Sequence, residues 1–298
     1  GTYGKNKYQI YTRPTFLWNT FWIPLRQLFS PTQAYLALNQ AIPSYVSGKV
    51  IAFSHGLSFM KYPQLYPDSY KKLEHQAEEM VKRADVIIVS SVKVKKEFEE
   101  YFDVLPRIEV LVFGTRHPRV LIGDPDPEWI PHQVRDDNIL GNDMRFFLFV
   151  GMNHPIKRID LIVRSFKQLQ KIVPDVWLYL VGVDKRLEDG KNNIKVFEFL
   201  DRSELNDLYS KSSGLVTASL YESFNLPVLE ALSHDVPVVG TPGAIIPELR
   251  KYVTIVEDDN LKDGMKKVLK STKRIDNQLL RKEFSWKTYV RKLEKIID

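Results

Sequence analysis

The chain has 298 residues, 43 Lys and Arg against 37 Asp and Glu, 44% hydrophobic residues and no Cys. That length suits about two domains, the apolar and aromatic content excludes disorder as the main state, and the absence of Cys removes disulfide frameworks, thiol nucleophiles and Cys-based metal centres. The net charge of +6 is mild but uneven, because residues 1–50 hold Lys5, Lys7, Arg13, Arg26 and Lys49 with no Asp or Glu.

The same N-terminal stretch is rich in aromatic residues. Residues 8–11 read as a short strand, and Trp18, Phe21, Trp22, Leu25 and Phe29 recur at helical spacing, with Pro24 starting or kinking that helix. Such a stripe suits core packing, an anionic membrane surface or a nucleic-acid groove. Nucleic acid is not expected as a partner, since the positive charge is small and no recognition motif occurs. No window approaches about 20 uninterrupted apolar residues, and residues 1–11 lack the build of a signal peptide. The expected location is therefore cytoplasmic, with peripheral contact at the inner membrane face.

Further along, apolar runs alternate with helical periodicity, the pattern of parallel strands joined by crossover helices. Residues 50–53 and Val86–Val89 read as buried strands. Between them Tyr70, Leu73, Ala77, Met80 and Val81 share one helical face, capped by Asp68 or Ser69. Ser91 caps a helix over Val92–Tyr101, and a strand follows at 108–113. Residues 115–144 scatter Pro118, Pro125, Pro127 and Pro131 among Asp, Asn and Gly, so a linker is expected there between a unit at 1–114 and another at 145–298. Asp124 and Asp126 imitate a metal-binding D-x-D, but no strand precedes them, and the His residues stand singly, so no metal is expected.

The second half is more regular. Strands are expected at Phe146–Val150, 176–181, Ile194–Phe197, 215–218 and 236–239, with helices over 158–172, from 203 and from 227. Five strands with crossovers make a doubly wound sheet. Its ligand cleft lies at the carboxyl ends of the strands, where loops 151–158, 182–186, 200–203, 219–226 and 240–244 converge.

The most informative run is ASLYESFNLPVLEALSHDVPVV, residues 218–239. Pro227 suits the first turn of a helix, so the amides around Ser223, Phe224, Asn225 and Leu226 can face an anion in the cleft. Glu222 lies just before that helix and Glu230 one turn inside it. Carboxylates only accept hydrogen bonds, so such a pair can grip hydroxyls on either side of a diphosphate.

This run resembles the C-terminal pattern of the retaining nucleotide-sugar glycosyltransferases of family four, whose architecture of two Rossmann-like domains is called GT-B. FLFVGMNHPIKRIDLIVRSF resembles the family's strand, loop and helix that carry a phosphate-binding Lys. FSW at 284–286 is a phrase common near its C-terminal helix, and VIAFSHGLSF resembles a strand ending in a His beside the reaction centre. The resemblance covers about residues 20–295, and the N-terminal domain is abbreviated relative to the family.

Several expectations are implied by this resemblance. The chain is an α/β protein with two Rossmann-like domains, the first on the acceptor side and the second binding the donor. It is a hexosyltransferase that takes a sugar from a UDP- or GDP-linked donor and passes it, with retention and without a metal or other cofactor, to a hydroxyl of a glycan or lipid-linked glycan. Glu222, His55 and Lys157 are the catalytic candidates. Gly151, Lys157, Arg158, Ser223, Phe224, Asn225, Leu226 and Glu230 are the donor-binding candidates, with Glu222 on the donor sugar and Glu230 on the ribose. Met152 stands where the family usually has an Arg, and Arg158 is expected to compensate. Ser223 and Asn225 replace two family glycines, and Asn tolerates positive φ better than most residues. The alternative expectation is a non-catalytic relative that binds a sugar or a partner in the same cleft.

Overall fold

Short runs of β-branched and aromatic residues pair into two parallel sheets, and helices between the strands cover them. The computed structural model describes residues 18–38, 40–115, 145–271 and 277–298. The expected strand at 8–11, residues 116–144 of the expected linker, and Asp124 and Asp126 lie outside the described residues.

The first sheet contains β1 (Ala34–Ala37), β2 (Lys49–Ser54), β3 (Val86–Val89) and β4 (Arg107–Val110), adjacent in that order and parallel. β1 escapes a reading by pattern because AYLA is too short to show a period. A π-helical turn over Trp18–Trp22 leads into α1 (Ile23–Phe29), where Pro24 sits in the first turn, so the proline starts this helix. α2 (Ser58–Lys61) and α3 (Tyr70–Arg83) connect β2 to β3, and α4 (Val92–Tyr101) connects β3 to β4. Ala77 and Met80 of α3 and Val94 and Phe98 of α4 are buried with Ala52, Ile87 and Val89 on one face of the sheet. Ser91 caps α4 by accepting from the Val94 amide, whereas Ser69 holds the N-cap position of α3 without a side-chain bond.

The second sheet has six strands, β5 (Phe146–Val150), β6 (Trp177–Val181), β7 (Ile194–Phe197), β8 (Gly214–Thr217), β9 (Val238–Gly240) and β10 (Thr254–Ile255). Their order, β10-β9-β8-β5-β6-β7, is the doubly wound arrangement whose order reverses between β5 and β8. The alternation of β5 sends Phe147 and Phe149 to one face, with α5 (Ile159–Gln170) and α8 (Leu261–Leu269), and Phe146 and Leu148 to the other. That other face is covered by α6 (Arg202–Lys211), α7 (Leu226–Ser233) and α9 (Asn277–Glu283), through Leu208, Val228, Leu229 and Leu280. The sixth strand, β10, is too short for a sequence period. The strand expected at 236–239 starts at Val238, after Pro237, which has no amide to donate.

The last helix, α10 (Trp286–Ile297), follows the second sheet in sequence but packs on the first. Its Ile296 is buried with Ile51, Val86, Ile88 and Leu111, on the face opposite α3 and α4. Lys49 Nζ donates to the Ile296 carbonyl at 2.5 Å, placing a cation at the negative end of this helix. Phe113 lies where the chain leaves the first sheet, edge-on to Phe224 at 5.0 Å and stacked on Tyr289 at 6.0 Å.

Candidate active site

The reversal point between β5 and β8 brings two loops together. After β5, Pro155–Lys157 forms one 3-10 turn, with the His154 ring accepting from the Ile156 amide. After β8, the Leu220 amide donates to the Ile156 carbonyl at 2.8 Å, tying the second loop to the first. Gly243 allows a third segment to close in, because a Cβ there would stand 2.4 Å from the Leu220 carbonyl oxygen.

This packing sets Lys157 Nζ 2.6 Å from Glu222 Oε1. Ser219 Oγ donates to the same oxygen at 2.7 Å, and both members of the pair are largely buried. Gly151 lies beside this lysine, where a Cβ would make ordinary contact with Lys157 Cε at 3.8 Å and a tighter one with the Phe149 ring at 3.1 Å. Sequence patterns thus bring Gly151, Lys157 and Glu222 to one place. Ser219 is not marked by any sequence pattern, since a serine three residues before a glutamate carries no signal of its own.

Beyond Glu222 the chain turns into α7. Asn225 takes φ 73° as the residue before the helix and donates from Nδ2 to the Ala244 carbonyl at 2.9 Å. It therefore meets the backbone requirement of the glycine it replaces. Phe224 is buried in the core between Phe113 and Phe284. Its side chain anchors the loop, which leaves only its backbone to face the cleft. Leu226 is exposed at the helix start and Pro227 follows it.

Glu230 lies one turn inside α7, with both carboxylate oxygens engaged. Arg202 Nη2 donates to Oε1 at 2.8 Å and the Tyr209 hydroxyl to Oε2 at 3.0 Å. Burial, followed by the Glu230 charge, raises the Tyr209 phenol well above its ordinary range, so it stays a hydrogen-bond donor. Neither Arg202 nor Tyr209 stands out in sequence, because their link to Glu230 arises only when α6 packs on α7.

One expected donor-binding residue is paired elsewhere. Arg158 is ion-paired with a carboxylate of its own and does not stand free beside Lys157. It adopts φ 52° at the start of α5, and its Nη1 and Nη2 donate to Asp258 at 2.9 and 2.5 Å. A carboxylate in the turn after β10 lies outside the reach of a local motif. Met152, in the position where an Arg was expected by resemblance, is 66% exposed. His55 is at the carboxyl end of β2, with Nε2 2.9 Å from the Leu38 carbonyl oxygen, so that nitrogen carries the proton. Its neighbour Gly56 packs against Tyr221 and Ser223, which brings the end of β2 to the Glu222 loop.

The first sheet holds this loop through further bonds. Ser90 and Ser91 hydroxyls donate to the Ser223 carbonyl at 3.1 and 2.7 Å. The Val92 amide donates to Glu248 at 2.7 Å, so the PE pair at 247–248 reaches the first turn of α4. Among the described residues, no group of three or more His, Asp or Glu side chains is arranged to hold a metal ion.

Comparison with known proteins agrees with this architecture. Residues 145–271 match the family described as Glycosyl transferases group 1. An uncharacterized glycosyltransferase of Methanocaldococcus jannaschii is 28% identical over 179 residues, covering 52% of this chain and 48% of that protein. The O-antigen chain mannosyltransferase B of Escherichia coli is 22% identical over 243 residues, covering 78% of this chain and 62% of its own. The chain thus spans about half the length of the archaeal relative it matches. The crystal structure of WaaG, a glycosyltransferase involved in lipopolysaccharide biosynthesis, superposes with a TM-score of 0.66 at 17% identity, covering 91% of this chain and 75% of that one. The fold is GT-B, with two Rossmann-like units.

Proposed function

We propose that the chain transfers a hexose from a UDP- or GDP-linked donor to a hydroxyl of a glycan or lipid-linked glycan, with retention of configuration and without a metal ion. The observation that carries this reading is the Lys157–Glu222 pair at the reversal point of the second sheet, beside the start of α7. Ligands of such sheets bind at this crevice. A diphosphate there competes with Glu222 for the Lys157 ammonium and meets the amides of residues 223–226, which point charge and dipole at the leaving group. Ser219 and Lys157 both donate to Glu222 Oε1. Oε2 then accepts from a hydroxyl of the donor sugar, and Glu230, fixed by Arg202 and Tyr209, accepts from the ribose. His55 borders the acceptor side through its Nδ1.

The mannosyltransferase among the relatives makes a nucleotide-linked mannose the first donor to test. Incubation with UDP- and GDP-linked hexoses and nuclear magnetic resonance of the product anomer decide both donor and stereochemistry; an inverted anomer, or strict dependence on a divalent ion, contradicts the reading. The second reading is a non-catalytic binder, favoured by the pairing of Arg158 with Asp258, which leaves Lys157 without that partner cation. Nucleotide binding with neither transfer nor donor hydrolysis supports this second reading.

The acceptor unit carries an exposed aromatic surface on and before α1, and we propose that it rests on an anionic bilayer at the cytoplasmic face, where a lipid-linked acceptor is presented. No helix among the described residues is long and apolar enough to cross a membrane.

A further inference from the structure

The loop that carries Glu222 is held by groups from the opposite unit. The Tyr221 hydroxyl accepts from the Leu57 amide at 3.0 Å and donates to Glu97 Oε2 at 2.6 Å. Its own space is reserved: Gly56 has φ 100°, and a Cβ there would lie 2.6 Å from the Tyr221 oxygen. Lys93, one turn before Glu97 on α4, places Nζ 3.7 Å from the centre of the Tyr221 ring and donates to the Glu222 carbonyl at 2.9 Å. The same ammonium is 4.0 Å from Glu97 Oε1, which is buried and makes no hydrogen bond among the described residues.

A buried carboxylate with one oxygen unmatched is costly unless it is needed for position. Here the charge faces a tyrosine and a lysine that both grip the chain next to Glu222, from a helix of the other sheet. A surface ion pair would not require this burial, and a purely apolar contact would fix the loop less directionally.

We propose that Tyr221, Glu97 and Lys93 are positioning residues that latch the Glu222 loop to α4, so that Glu222 and the amides of residues 223–226 reach donor-binding geometry through docking of the two units. This proposal rests on the reading of Glu222 as a ligand of the donor sugar. It adds three residues that do not touch the donor, and it makes donor affinity a property of the acceptor-side unit.

The test uses the full chain, with backbone hydrogen exchange measured alongside donor KM and kcat. Tyr221→Phe removes one oxygen and keeps the ring, so folding is spared. Exchange across residues 219–226 is expected to accelerate about 10-fold or more, with the β5 and β6 amides unchanged, and donor KM to rise by a similar factor with a smaller change in kcat. Glu97→Ala should reproduce this effect, and Glu97→Gln, which retains an acceptor for the phenol, should restore part of it. Unchanged exchange and KM in Tyr221→Phe overturns the proposal, as does equal acceleration throughout the second sheet, which would mark a general loss of stability. If the wild-type chain transfers no hexose from either nucleotide, the function reading fails, while the exchange pattern still decides the latch.

Discussion

Lys157 Nζ and Glu222 Oε1 lie 2.6 Å apart although 65 residues separate them in sequence, and the two side chains are only 21% and 12% exposed. The backbone bond from Leu220 to Ile156 sets this distance. Each loop therefore carries one partner into place without depending on the pair itself, so the ion pair can be opened by an incoming diphosphate without releasing the loops.

Removing Lys157 should accordingly separate activity from stability. Lys157→Ala is expected to lower transfer by roughly 100-fold or more, as for loss of a preorganised charge at a leaving group. The melting temperature should move little, because the turn at Pro155–Lys157 is held by His154 and Ile156. Steady-state kinetics with a melting curve checks both, and near-normal transfer would return Lys157 to a structural ion pair.

The two glutamates should differ in which kinetic constant they move. Glu230→Ala is expected to weaken nucleotide binding, and Glu222→Ala to lower kcat more than donor affinity, each by about 2–3 kcal/mol as for charged hydrogen bonds. Tyr209→Phe should show a weaker form of the Glu230 effect, since Arg202 still holds the carboxylate. Calorimetric titration with UDP and GDP, beside turnover with the matching sugar donor, separates these cases. Equal losses in all three variants would place both glutamates on the same part of the ligand.

Much of the second unit is legible in sequence because its strands are buried on both faces. Phe146–Val150 and Trp177–Val181 read directly as apolar runs, and Pro227 with Glu222 and Glu230 marks the helix start beside the cleft. The pairings of Arg158 with Asp258 and of Tyr221 with Glu97 are not legible. They join residues 100 and 124 positions apart and exist only after helices or whole units dock. A local motif indicates which groups line a cleft; it does not reveal which neighbour neutralises or holds them.

Lys93 gives that docking a pH dependence. Burial lowers its ammonium from 10.5 to about 8, against the opposing pull of Glu97 on its own helix and of Glu222. Lys61 from α2 and Arg250 from the turn at Pro247–Tyr252 push the same way as burial. Between about 8 and 10.5 the folded chain has released a proton that the unfolded chain retains, so this site adds stability as pH rises through that window. The neutral amine meanwhile loses its attraction to the Tyr221 ring and donates more weakly to the Glu222 carbonyl. Donor KM should thus increase from pH 7 to 9.5 in the wild type, and should be already raised and flatter in Lys93→Met. Parallel KM profiles for the two proteins would remove Lys93 from donor positioning.

The aromatic surface at the start of the described chain makes a separate prediction. Ile23 and Gln27 face inward, and Gln27 Oε1 accepts from Thr32 and Ser47 hydroxyls, which fixes the orientation of α1. The opposite side presents Phe21, Trp22, Leu28 and Phe29, at 50%, 51%, 63% and 83% exposure. The stripe expected from spacing is therefore turned outward at Phe21, Trp22 and Phe29, with Arg26 exposed among them. Inserting such side chains into a bilayer boundary contributes about 1.5–3 kcal/mol each when fully buried, and each basic group near an anionic surface adds about 1 kcal/mol. Binding should consequently be reversible, stronger on anionic than on neutral vesicles, and weakened by salt. A Trp22→Glu, Phe29→Glu double variant should lower vesicle binding about 10-fold or more without unfolding the chain, because both positions are already in water. Co-sedimentation at low salt decides it: equal, negligible pelleting with neutral and anionic vesicles would assign this surface to another protein and point to a soluble acceptor.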